Sequence, residues 1–176
     1  MSGRRNRKFL FPAVVVGVIM AAVGTAFAIG AGGTAAPDVT KVEPLTLGQA
    51  QREVAWQIKA PAVESVVPDA RLAGIYLTSP PGRRDLTTVH MDWTVGEEVA
   101  IRLDQAAFEL DIGGESRPFV VNGVAGKLRE ATYEDGSASL IAAWSKGGIS
   151  YLLAVKHLDG TKPDREVFLR IASLID

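Results

Sequence analysis

The sequence predicts an α+β fold: an antiparallel sheet of six or seven strands with an N-terminal and a C-terminal helix, preceded by one membrane-spanning or signal segment. Three observations predict it. A long uncharged stretch follows a basic cluster near the N-terminus. From about residue 71 to residue 155, apolar residues recur at every second position between Gly-containing turns. On either side of that region the apolar spacing changes to three and four, the period of a helix.

The leader comes first. Arg4, Arg5, Arg7 and Lys8 are basic, and no acidic residue precedes Asp38. Residues 9–37 carry no charge, and the apolar run Phe9 to Ile29 is 21 residues long. As a helix it reaches about 31 Å, the thickness of a bilayer core. Basic residues stay on the cytoplasmic side, so the C-terminal portion is expected to be extracytoplasmic. Ala26-Phe27-Ala28 also fits a signal-peptidase site, and cleavage after Ala28 would make the protein secreted. Length favours a retained single-pass anchor in the cell membrane, with residues 9–29 in the lipid bilayer. The expected organisation is therefore leader 1–28, flexible Gly/Ala/Pro linker 29–44 and extracytoplasmic domain 45–176.

Charge divides in the same way. The chain has 19 basic and 20 acidic residues; without the four leader cations, 15 remain against 20, a net of −5. That balance gives no nucleic-acid signal. The absence of Cys excludes disulfides, thiolate metal sites and cysteine nucleophiles.

The elements follow in order. Thr46 with Gln49 forms a capping box, and Leu47, Ala50, Val54 and Ile58 lie on one helical face. Pro61 and Pro68 end that helix. Strands are expected at Leu72–Leu77, Thr88–Trp93, Val99–Asp104, Phe119–Val121, Lys127–Tyr133, Leu140–Trp144 and Ile149–Val155. Asn122-Gly123, Asp135-Gly136 and Gly147-Gly148 supply hairpin turns. The last two strands are the most uniformly apolar and are expected at the centre of the sheet. A C-terminal helix opens after Pro163, with Val167, Phe168, Ile171, Leu174 and Ile175 as its apolar stripe.

Motifs for chemistry are absent from the sequence. His90 and His157 belong to no ligand pair, and no Gly-x-Ser-x-Gly, Ser-x-x-Lys or phosphate-binding glycine loop occurs. Glu97-Glu98 and Glu134-Asp135 flank turns and read as solvated, as does Arg83-Arg84. No catalytic, cofactor-binding or metal residue is expected, and no cofactor. Trp93 and Trp144 belong to the core, or to the wall of a cavity if the sheet curls.

The domain resembles an uncharacterised extracytoplasmic domain family of membrane-anchored bacterial proteins, related to LolA-like lipoprotein carriers and RseB/MucB-like regulators. The resemblance rests on residues 45–50, on Pro61 and Pro68, and on Val89-His90-Met91-Asp92-Trp93. It continues through Val121-Asn122-Gly123, Trp144, residues 148–153 and Ile171-Ala172-Ser173-Leu174. It implies a curved half-barrel with an apolar concave face, whose candidate lining is Val89, Met91, Trp93, Ile101 and Leu103. The expected function is a non-enzymatic envelope domain, anchored or secreted, that binds or senses a partner. The partner would be an envelope protein or a hydrophobic ligand. The alternative is a carrier of a lipid or other hydrophobic ligand in the half-barrel cavity, and an exported hydrolase ranks third.

Overall fold

The computed structural model describes residues 43–175. The leader, the cleavage site and nearly all of the linker lie outside the described residues. Among the described residues no helix is long and apolar enough to cross a membrane.

Helix α1 (Leu47–Glu53) opens on the expected capping box: Thr46 accepts from the Gln49 amide, and the Gln49 side chain turns back to the Thr46 N–H. It stops at Glu53, earlier than the apolar stripe suggests, because Val54 is already extended. Gln51 makes the non-helical path favourable. Its amide donates to Trp56 O (2.8 Å), and its carbonyl accepts from Ile58 N (2.9 Å). Val54 and Ile58 still join the core, but from extended chain. A 3-10 turn at Val63–Ser65 follows.

Seven strands come next: β1 (Arg71–Thr78), β2 (Thr88–Val95), β3 (Val99–Ala106), β4 (Arg117–Val121), β5 (Val124–Thr132), β6 (Ala138–Lys146) and β7 (Ile149–His157). Every neighbouring pair is antiparallel, and the order across the sheet is β1-β2-β3-β7-β6-β5-β4. The sheet is open, with β1 and β4 at its edges. As the apolar runs predict, β7 lies in the middle with β6 beside it. Helix α2 (Arg165–Ser173) is capped by Asp164, which accepts from Glu166 N and Val167 N.

The alternation places two different surfaces on the sheet. One face joins Ile75, Met91, Leu103, Leu153, Ala142 and Leu128 across six strands. These residues form one core with Ala50, Ile58 and Val63 below β1, and with Phe168, Ile171 and Ala172 of α2. Gln105 also points to this face and is fully buried; it holds the backbone of Lys59 by accepting from its N–H (2.8 Å) and donating to its C=O (2.7 Å). That pair of bonds ties the segment after α1 to β3.

The outer face is different. It carries Tyr76, His90, Asp92, Arg102 and Asp104 on β1–β3, and small residues such as Ala143 and Ala154 further along. The connection from β3 to β4, residues 107–116, meets β5 on this face. Arg129 of β5 holds it by donating to Ile112 O (3.1 Å), and Lys127 pairs with Asp111 (3.3 Å).

Candidate functional site

The five apolar residues expected to line a cavity do share one face. Met91 stands opposite Leu103, Trp93 opposite Ile101, and Val89 opposite Gln105. All five are 0–3 % exposed and belong to the core that the helices share. Phe168, Ile171 and Val63 belong to the same buried cluster. A cavity of about 140 Å³ lies elsewhere, between the β5–β6 hairpin and the start of α2, lined by Glu130, Thr132, Ser139, Lys162 and Arg165 among others.

The polar side chains of the outer face make a denser arrangement. Arg102 and Asp92 stand directly opposite on β3 and β2, and the guanidinium meets the carboxylate through two bonds, Nε to Oδ1 (2.6 Å) and Nη2 to Oδ2 (2.8 Å). Both are largely shielded from water. Burial works against the Arg102 charge. The Asp92 hydrogen bonds and the nearby Asp92, Asp104 and Tyr76 outweigh it and hold the guanidinium pKa above its ordinary value. Burial raises the Tyr76 phenol, and the Asp92 charge raises it further. The Tyr76 ring lies back over Gly74, where a Cβ would come within 2.5 Å of the phenol oxygen.

One register step along, a second chain of contacts begins. His90 and Asp104 are directly opposite, and Nδ1 lies 2.7 Å from Asp104 Oδ1. The other ring nitrogen, Nε2, lies 2.7 Å from the Thr78 hydroxyl on β1. A carboxylate only accepts, so Nδ1 carries the proton and donates to Asp104. In the neutral ring Nε2 is then an acceptor, and the Thr78 hydroxyl donates to it. Burial is graded along this chain: Asp104 is buried, His90 half-buried and Thr78 exposed. No buried side-chain nitrogen or oxygen among the described residues lacks a partner.

The remaining candidates stay apart. His157 ends β7 and is bonded to Thr161 (2.7 Å). Arg83 folds onto Asp85 in the exposed β1–β2 loop. Asp135 accepts from the Ser137 backbone and hydroxyl, which hold its carboxyl below the usual range, and it lies 3.6 Å from the buried Lys156 ammonium. That ammonium also sits 4.7 Å from the centre of the Tyr133 ring. Among the described residues no group of three or more His, Asp or Glu is placed to hold a metal ion.

The motif reading missed the joining of Thr78, His90 and Asp104. Their separations of 12 and 14 residues match no local signature. The signal that was present is the alternation itself, which puts His90 and Asp104 on the polar sides of two consecutive strands. No family model matches the chain, and neither the comparison with curated proteins nor that with solved structures found a match.

Proposed function

We propose that this chain is an envelope protein, anchored by residues 9–29, whose folded domain recognises a partner outside the cytoplasm through the outer face of β1–β3. The observation that supports this reading is the unequal treatment of the two faces of the sheet. One face is filled by helix and extended-chain side chains. The other exposes Thr78 and part of Tyr76, His90 and Arg102 above the buried carboxylates of Asp92 and Asp104, which fix Arg102 and His90 in position by an ion pair and a hydrogen bond. Polar groups held in advance lose little conformational freedom on binding, which favours recognition of a polar surface. The leader supports the location: a basic cluster followed by a 21-residue apolar run, Phe9 to Ile29.

Photo-crosslinking in intact cells tests it. A crosslinker at Thr94, on the outer face, is expected to give one discrete adduct. A crosslinker at Glu166, on the exposed side of α2, is expected to give none. Equal labelling from both positions, or protease protection of the domain in spheroplasts, would overturn the reading.

A further inference from the structure

The geometry points to Thr78 as a nucleophile, with His90 as its general base and Asp104 as the positioning residue, acting on a small activated acyl ester. The inference goes beyond the partner-binding reading and does not rest on it. It departs from the expectation that this chain has no catalytic residue.

Three observations carry it. The hydroxyl-to-Nε2 and Nδ1-to-carboxylate distances are both 2.7 Å, which is the reach that a nucleophile, a base and its orienting group require. Asp104 fixes the proton on Nδ1 and so leaves Nε2 able to take the hydroxyl proton. The gradient of burial is the useful one, with the carboxylate inside and the hydroxyl at the surface. Neighbouring charge supports the arrangement, since Arg102 interacts electrostatically with Asp104 from two residues away on β3. The exposed position of Thr78, at the end of an edge strand, leaves its hydroxyl open to an approaching ester.

The step balances as follows. Thr78 Oγ1 forms a bond to the ester carbonyl carbon while its proton passes to His90 Nε2. The bond from that carbon to the alkoxy oxygen breaks, and the departing oxygen takes the proton from Nε2. Water, deprotonated by the same nitrogen, then attacks the acyl carbon; the bond from that carbon to Thr78 Oγ1 breaks, Oγ1 takes the proton back from Nε2, and the carboxylic acid leaves. The β-methyl of threonine crowds the attacking oxygen, so the acyl group is expected to be small.

The full-length chain in detergent micelles, treated with p-nitrophenyl acetate, provides the test. The expected result is p-nitrophenolate release together with an acetyl group on the peptide containing Thr78, identified by mass spectrometry. Thr78→Val should abolish that adduct and leave only the slow background of surface amines, while Thr78→Ser keeps it. His90→Gln should slow acetylation at this residue by about 100-fold or more. Asp104→Asn should slow it comparably, and Asp104→Glu should restore part of the rate, with thermal melting followed for each variant. Thr78→Val, at an exposed position, keeps the test valid if a change at Asp104 unfolds the protein. Phenolate release unchanged in Thr78→Val, acetyl groups found only on lysines, or no reaction at all would overturn the assignment.

Discussion

Asp92 shows how much a single side chain can carry in this sheet. Its carboxylate is buried against Arg102, and two short bonds satisfy both partners. Asp92→Ala leaves a shielded guanidinium without its counter-ion, and the expected loss is about 3 kcal/mol. Urea denaturation should show it as a lower midpoint with an unchanged slope. Replacing both partners, Asp92→Leu with Arg102→Met, should recover most of that loss, because no charge is then stranded. At the edge of the domain, Thr46→Ala removes the acceptor for the Gln49 amide and should cost about 1 kcal/mol. Several carboxylates also set the response to acid. Val167 N–H, then Glu166 N–H, hold the Asp164 carboxyl below its ordinary pKa. Hydrogen bonds from the Ser137 hydroxyl and backbone do the same for Asp135, and those from the Thr161 hydroxyl and backbone for Asp159. A depressed folded-state pKa contributes stability that is present above the unfolded carboxylate range and is lost as pH falls through the folded value. Thermal melting followed downward from pH 6 should therefore fall through the acidic carboxylate range, and Asp164→Asn should flatten part of that fall.

At the scale of elements, close approach between strands is the sharper constraint. Gly126 of β5 faces Trp144 of β6, where an added Cβ would meet the Ala143 carbonyl and lie 2.9 Å from Trp144 Cβ. Nothing flexible yields there, so Gly126→Ala should push β5 away from β6 and cost about 2 kcal/mol. Near-ultraviolet dichroism should report it, because Trp144 is stacked on Tyr151 at 5.6 Å. The Asn122-Gly123 turn is constrained by backbone conformation instead of space, since both residues adopt positive φ (49° and 76°), as a two-residue hairpin demands. The strands were legible in the sequence because period-two alternation and turn glycines are local signals. The end of α1 was not, because it depends on Gln51 bonding to chain five and seven residues ahead. His90 was legible as a polar-face residue. Its partners were not, because a facing pair such as His90 and Asp104 is defined only once the register of β2 on β3 is known.

For the whole molecule, the decisive contact is β3 with β7. It joins a β1–β2–β3 meander to a β4–β5–β6–β7 meander, pairing Val99 with His157. The order could not be read from the sequence, since β3 is followed in the chain by β4, which lies at the far edge. Amide exchange should show the consequence: β7 and β3 amides exchange only through global opening, while β1 and β4 exchange through local fraying. The late position of β7 in the chain also imposes a timetable. As the chain is made or threaded from its N-terminus, β3 emerges long before the strand that covers it, because residues 107–148 lie between the two. During that interval β3 offers a bare row of hydrogen-bonding groups to any neighbouring nascent chain. A chain released before residue 149 would keep that row permanently and should assemble into insoluble material, whereas one lacking only β1 should remain soluble. The pairing that closes the sheet therefore also makes its last strand the gatekeeper of the protein's biogenesis.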